Sequence, residues 1–172
     1  MIRTATNADA AALAELAERT FRDTFARLNR GEDIDDHCRR SYGADIQAAE
    51  IRDDKRMTLV CEAGGTLVGY GQLRVEGAPT CVIARRPAEI QRLYVDARWH
   101  GKGVAQELMS ALLDAAVARG ADVAWLGVWE RNPRAIAFYV KSGFSIVGEH
   151  VFMLGNDPQR DLVLARKLPR PA

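Results

Sequence analysis

The sequence has little of what marks several large classes of protein. Its 172 residues include only three cysteines, Cys38, Cys61 and Cys81, at wide spacing and without a CxxC pair. Cysteines in this number and spacing indicate neither a disulfide framework nor a zinc site, so we expect a reduced, cytoplasmic chain without a bound metal. The most apolar run, residues 108–118, is short and carries Asp114, so we expect no membrane segment.

An excess of one charge is also missing. The 24 Lys and Arg residues nearly balance the 23 Asp and Glu residues, which leaves a formal net charge of +1. Such a chain gains little of the phosphate attraction that drives nucleic-acid binding, so we expect no nucleic-acid partner. The length fits a single domain over residues 1–172. The oligomeric state is left open, a homodimer included.

Two common nucleotide-binding signatures, GxxxxGK followed by Ser or Thr and GxGxxG, are absent. Instead, a β-rich run over residues 90–95 leads through a loop with Gly101 and Gly103 into the clearest helical stripe of the chain, which begins at Val104. Glycines let the backbone approach a phosphate closely, and the first turn of a helix leaves amides free to bind an anion. This junction predicts a phosphate site.

The remaining patterns predict alternating strands and helices. A capping box at residues 6–9 starts the first helix, and Gly64-Gly65 joins two strands into a hairpin. Strict alternation along residues 90–95 would put the side chains of Glu89 and Leu93 on one face. We predict strands over residues 2–5, 57–63, 66–75, 90–95, 123–129, 147–154 and 161–168, and further helices over 32–42, from 104 to 120 and from 132 to 143, with 123–129 parallel to 90–95.

Two blocks of sequence resemble one known family. Arg98-x-x-Gly101-x-Gly103 resembles the pyrophosphate-binding signature of the GNAT superfamily of N-acetyltransferases, and residues 132–144 resemble its helix that ends in FYxKxGF. Residues 127–133 and 148–155 are similar to the bacterial PaiA-type polyamine acetyltransferases. The resemblance implies an α/β GNAT fold, in which a mixed, mostly antiparallel sheet has a splayed parallel strand pair and helices on both faces.

The resemblance also implies acetyl-CoA as the cofactor and direct acetyl transfer to a primary amine in a ternary complex. The backbone of Leu93, Tyr94 and Val95 is expected to pair with the pantetheine arm, and the Leu93 amide to polarise the thioester carbonyl. Asn132 and Lys141 are expected to contact the cofactor from the following helix. The expected pyrophosphate cradle consists of Arg98, His100, Gly101, Lys102, Gly103, Val104 and Ala105.

The resemblance assigns two proton-transfer roles. An aliphatic amine has a pKa of about 10.4 and must lose a proton before it can attack. Glu89 occupies the position of a known GNAT general base, with a water chain to solvent as the alternative. Tyr139 occupies the position of the general acid and is expected to contact the cofactor, with a packed aromatic residue as the alternative reading.

An acidic segment near the start of the second predicted helix suggests where the acceptor amine binds. Glu32, Asp33, Asp35 and Asp36 fall where GNAT enzymes form their acceptor wall, where carboxylates would hold the distal ammonium groups of a polyamine. An acidic first turn is also common on any surface helix. A small polyamine is the expected substrate. A protein amino terminus or lysine, and a non-catalytic acyl-CoA-binding module, are the alternatives.

Overall fold

The computed structural model describes residues 1–169. In this range the chain forms seven strands and five α-helices, with short 3-10 turns at residues 7–9, 26–28 and 97–99. They are β1 Ile2–Thr4, α1 Ala10–Phe25, α2 Gly31–Ser41, α3 Ala44–Arg52, β2 Arg56–Ala63, β3 Thr66–Arg74, β4 Pro87–Val95, α4 Val104–Ala118, β5 Val123–Trp129, α5 Pro133–Lys141, β6 Ser145–Leu154 and β7 Asp157–Lys167.

One mixed sheet carries all seven strands, in the order β1-β2-β3-β4-β5-β7-β6. The central pair β4 and β5 is parallel, and each other neighbouring pair is antiparallel. A parallel pair needs a long crossover, which α4 supplies between β4 and β5. The α/β fold expected from the sequence, with its single parallel pair, is therefore confirmed.

Helices cover both faces of the sheet. On one face, α4 buries Leu108 and Leu112 completely, and Leu112 fills the space that a Cβ on Gly71 of β3 would need. On the other face, Leu16 of α1 and Tyr70 of β3 are buried in a second apolar cluster with α2. Among the described residues, every helix is too short or too polar to span a membrane. The helices α1 and α4, on opposite faces of the sheet, both contact β4.

Local signals placed several elements correctly. The Asp9 carboxylate accepts a 2.7 Å hydrogen bond from the Thr6 amide at the start of the first helical segment. Gly64 and Gly65 have φ of 59° and 75°, the left-handed values that a tight hairpin turn requires. The pattern did not reveal α3, since its nine residues lack a clear apolar stripe and its one buried residue is the polar Gln47.

A β-bulge in β4 overturns the predicted alternation of its side chains. The register with β3 pairs Gln72 with Arg92 but Leu73 with Ile90, so β4 holds one extra residue at this point. Beyond the bulge Leu93 packs towards α4, whereas Glu89 lies on the opposite face. The prediction that Glu89 and Leu93 share a face was wrong, because the extra residue shifts the two-residue period by one.

Candidate active site

The two parallel strands diverge in the middle of the sheet. Their pairing consists of three residue pairs and ends at Glu89 and Trp125, although β4 continues to Val95 and β5 to Trp129. β5 stays paired with β7 along its whole length, and the bulge adds twist to β4, so the two strands separate. The result is a wedge-shaped gap with a strand edge on each side, which we call the β4–β5 gap.

The backbone of β4 presents to this gap hydrogen-bonding groups that are not paired with a neighbouring strand. Beyond the bulge, the Asp96 amide donates to the Val68 carbonyl of β3 at 2.9 Å. Because hydrogen-bonded and non-bonded positions alternate in an antiparallel pair, Leu93 and Val95 direct their amides and carbonyls away from β3 and into the gap. Tyr94 points its own amide and carbonyl at β3. Of the three residues expected to pair with pantetheine, two therefore face the gap.

The glycine loop lies at the end of β4 and leads into α4. Gly101 and Gly103 have φ of 76° and 85°, in the left-handed region that favours glycine. The first helical bond of α4 runs from the Glu107 amide to the Gly103 carbonyl, so the amides of the preceding residues, Val104 and Ala105 among them, have no helical partner. Free amides at the positive end of a 15-residue helix form an anion site.

Asp96 fixes this loop to the rest of the domain. No sequence pattern predicted this role of Asp96. Its buried carboxylate accepts bonds from the Arg98 amide at 3.0 Å, from the Arg98 guanidinium at 2.8 Å and from Arg19 of α1 at 3.1 Å. These bonds hold the pKa of Asp96 well below its usual range. Lys102 stacks its ammonium on the Trp99 ring, and His100 Nε2 lies 2.9 Å from the Val95 carbonyl oxygen.

The α5 helix brings Tyr139 to the α4 side of the sheet. Tyr139 packs edge to face between Phe138 and Phe144, and burial raises its pKa to about 12. The phenol is therefore protonated at neutral pH and can act as a proton donor. Asn132 caps α5 by accepting from the Ala135 amide, and Lys141 ends the same helix in an exposed position.

Glu89 is engaged by another residue. Its carboxylate forms an ion pair with Arg74 of β3 at 2.6 Å, and its partner across the parallel pair is Trp125. The side chain lies on the sheet face opposite Leu93. Contact between Glu89 and an amine on this face would require the side chain to leave Arg74.

The bulge itself is held by a charged cluster under α3. Glu50 accepts hydrogen bonds from Arg92 at 2.7 Å and from Gln72 at 3.2 Å. Arg56 contacts the same carboxylate and also donates to Gln91 at 2.7 Å. Arg92 is thus fixed by α3, an element that the sequence pattern did not reveal, and Gln91 is fixed by Arg56 of β2. The direction of the Leu93 amide depends on this cluster.

The four acidic residues near the start of α2 already have partners. Glu32 pairs with Arg30 at 3.1 Å, and Asp35 pairs with Arg22 at 2.8 Å. Asp36 pairs with Arg39 and Arg40. Asp33 is buried and accepts from the Asn156 amide at 3.1 Å, so it anchors the turn between β6 and β7. The sequence predicted correctly that these carboxylates lie near the start of a helix, but it could not show that each has a partner in the folded protein.

Aromatic and titratable side chains line the opposite side of the gap. Phe25 of α1 packs on Trp129 of β5, and His37 of α2 packs edge-on against Phe152 of β6. Between these contacts, His150 of β6 and Asp161 of β7 lie over β5. The sequence analysis did not single out either residue, because they belong to strands that are brought together only in the folded sheet.

Comparison with known proteins gives a consistent result. Residues 10–144 match the acetyltransferase (GNAT) family. An uncharacterized N-acetyltransferase of Mycobacterium tuberculosis (strain ATCC 25618 / H37Rv) is 34% identical over 160 residues, which cover 93% of this chain and 98% of that protein. An uncharacterized N-acetyltransferase in the pepI 3' region of Lactobacillus delbrueckii subsp. lactis is 30% identical over 153 residues, covering 89% of this chain and 88% of the relative.

The same fold occurs in solved structures. The PaiA N-acetyltransferase from Thermoplasma acidophilum, crystallised in complex with coenzyme A, has a TM-score of 0.79 and 23% sequence identity. The match covers 97% of this chain and 98% of that protein. At this identity the likeness establishes the fold alone.

Proposed function

The chain belongs to the acetyltransferase (GNAT) family, and from that premise we propose that it transfers the acetyl group of acetyl-CoA to a primary amine of a small polyamine. The observation that carries this proposal is the backbone edge that Leu93 and the Val95 amide present beside the glycine loop and the start of α4. A strand edge suits the amides of a pantetheine arm, and free helix amides suit a pyrophosphate. Acetyl-CoA carries both groups.

The chain's own residues would divide the work as follows. Acetyl-CoA, when bound, supplies the acetyl thioester. The Leu93 amide donates to the carbonyl oxygen of that thioester and stabilises the negative charge that develops there during attack, a term worth about 3 kcal/mol in comparable sites. The Tyr139 phenol gives its proton to the departing thiolate sulfur. The amides of Gly103, Val104 and Ala105, with Lys102 beside them, neutralise the phosphates.

Direct transfer is favoured over an acylated cysteine. Cys38 and Cys61 are buried in apolar clusters, and burial raises the pKa of Cys38 to about 11. A thiol is a weak nucleophile when it stays protonated. Cys81 lies beside Gly148 of β6, in the loop over that end of the sheet, and not at the Leu93 edge. We therefore propose a ternary complex in which the amine attacks the thioester itself.

The polyamine assignment rests on the resemblance to PaiA-type sequences and on the open, titratable side of the gap. The carboxylates near the start of α2 add less to it than the sequence suggested, because Asp35 and Asp36 already have arginine partners. The proton acceptor that the resemblance implies, Glu89, stays a prediction, and its pairing with Arg74 argues against direct contact with the amine.

The test is thiol release from acetyl-CoA across a panel of amines. Spermidine, spermine, putrescine, butylamine, lysine-containing peptides and peptides with a free amino terminus would be compared at equal concentration. The proposal expects the largest kcat/KM for spermidine or spermine. A preference for peptides would replace the polyamine by a protein acceptor. Thiol release that no amine accelerates would contradict acetyl transfer itself.

A further inference from the structure

Gly127 of β5 opens the sheet at the point where the two strands have separated. It lies two residues beyond Trp125, the last residue of β5 that pairs with β4. Unlike its neighbours along the strand, Gly127 is exposed. A Cβ at this position would lie 2.7 Å from His150 Nε2 and 3.3 Å from Asp161 Oδ2, so the missing side chain is what makes room for these two groups. The opening gives solvent access to both.

His150 and Asp161 form a cross-strand pair. They are direct partners in the antiparallel register of β6 and β7, and His150 Nε2 lies 3.8 Å from Asp161 Oδ2. The His150 side chain is 33% exposed, whereas that of Asp161 is 12% exposed. The Trp125 ring meets the imidazole edge-on at 6.3 Å. The arrangement is a reachable imidazole supported by a buried carboxylate.

The surroundings of this pair contain few other charges. On the same face of β6, Gly148 lies under Cys81, and Phe152 lies under His37 of α2. Burial, with the charge of Arg92 as a second cause, lowers the pKa of His37 to about 4, so His37 is neutral at neutral pH. β5 contributes Trp125, Gly127 and Trp129 to this face, none of which carries a charge. Asp161 is therefore the charged group that faces His150.

The pair is close to the groups that would act on the thioester. Burial raises the pKa of Tyr94 well above its usual range, and the nearby Tyr42, Tyr139 and Asp161 raise it further. Tyr94 is thus near both the phenol of Tyr139 and the carboxylate of Asp161. Leu93, its neighbour in β4, directs its amide into the same gap.

We infer that His150, with the Asp161 carboxylate beside it, is the proton acceptor for the attacking amine. This inference deepens the proposed function and rests on it. The ammonium group transfers one proton to the imidazole, and the freed lone pair forms the C–N bond as the C–S bond breaks. The second nitrogen proton leaves as the amide forms and replaces the proton that Tyr139 gives to the thiolate. The imidazolium, paired with the Asp161 carboxylate, then returns its proton to solvent through the Gly127 opening.

The decisive measurement is the pH dependence of kcat/KM for the best amine at saturating acetyl-CoA. In His150→Gln, attack would depend on amine that is already neutral, so kcat/KM should rise about tenfold per pH unit towards the amine pKa of about 10. The deficit against the parent should be about 100-fold at pH 7 and shrink at higher pH. Asp161→Asn should show a smaller deficit, and imidazole added to His150→Ala should restore part of the turnover.

Two further variants make the result specific. Glu149→Gln changes the neighbouring residue of β6, whose side chain points to the opposite face and pairs with Arg160, so its pH profile should match the parent. If His150→Gln lowers kcat/KM by the same factor at every pH, His150 is a packing residue and the inference is wrong. The same holds if Glu89→Gln, and not His150→Gln, shows the deficit that shrinks at higher pH. A parent enzyme that acetylates no amine would overturn the proposed function as well.

Discussion

The β4–β5 gap has a proposed cofactor end beside the glycine loop and a proposed acceptor end beside His150. Each end holds a buried carboxylate, and the surroundings shift the pKa values of the two carboxylates in opposite directions. Asp96, at the cofactor end, accepts hydrogen bonds from Arg98 and Arg19, and its pKa is held low. Asp161, at the acceptor end, has only His150 at 3.8 Å, and burial raises its pKa from 3.8 to about 6. The end that we propose for the cofactor is held by satisfied hydrogen bonds, whereas the end that we propose for the acceptor keeps an imperfectly compensated charge, as reactive sites often do.

The same contrast explains what the sequence could predict. The proposed cofactor end is nearly continuous in the chain, from Leu93 to Ala105, so a strand pattern, two glycines and a helix start were sufficient to predict its strand, loop and helix. The acceptor end combines α1, α2, β5, β6 and β7. No local pattern brings His150 to Asp161 or to Gly127, because their proximity depends on the pairing of three strands.

The bulge in β4 shows a second limit. A two-residue period in the sequence does not reveal that a strand holds one extra residue. A single inserted residue moves every later side chain to the other face of the sheet. The cluster that holds the bulge depends on Glu50 of α3, which lies about forty residues earlier in the chain. The strand that carries Leu93 could therefore be predicted, whereas the face on which Glu89 lies could not.

The largest expected effect comes from breaking the cofactor end at Gly103. Gly103→Glu forces a side chain into φ of 85° and adds a carboxylate where phosphates should bind, so affinity for acetyl-CoA should fall by at least about 100-fold. The rise in Tm that acetyl-CoA causes in the parent should disappear. Gly65→Glu is the control, since it imposes similar strain at φ of 75° in a hairpin turn away from the gap. A normal rise in Tm in folded Gly103→Glu would reject the phosphate site.

The second largest effect is expected from the loss of the Tyr139 hydroxyl. Tyr139→Phe removes one hydroxyl and should lower kcat by about 100-fold while the KM for acetyl-CoA stays unchanged, as expected for the loss of a positioned acid. Tyr70→Phe removes another buried hydroxyl, one that has no hydrogen-bond partner, and should leave kcat within about twofold of the parent. If kcat of Tyr139→Phe also stayed within threefold of the parent, Tyr139 would be a packing residue.

A third prediction compares the two carboxylates by stability. The raised pKa of Asp161 means that the folded state holds its proton more tightly than the unfolded state, so this group costs stability as pH rises from about 4 to about 6. Asp161→Asn should therefore raise the free energy of unfolding by about 1 to 3 kcal/mol at pH 7.5 and have little effect at pH 4. Denaturant unfolding at both pH values measures this difference.

Asp96→Asn is the matched opposite case. The lowered pKa of Asp96 means that its ionised form stabilises the fold at neutral pH, and that this contribution fades as pH falls below its unfolded value of 3.8. Asp96→Asn should therefore destabilise the protein most at pH 7.5 and progressively less in acid. Changes of the same sign in both variants at pH 7.5 would show that the two ends do not differ in the way we describe.

The smallest effect is expected from the carboxylates near the start of α2. The sequence alone suggests that replacing Asp35 and Asp36 with Asn should raise the KM for spermidine more than that for a monoamine. In the folded protein both carboxylates are paired with arginines, and an exposed ion pair is worth at most about 1 kcal/mol. A polycation would have to displace Arg22 and Arg39 to reach them.

We therefore expect the double variant to raise the KM for spermidine by no more than about twofold, and that for butylamine not at all. A selective increase of fivefold or more that shrinks at high salt would assign these carboxylates to the acceptor wall and would extend the charged acceptor end from Asp161 out to α2.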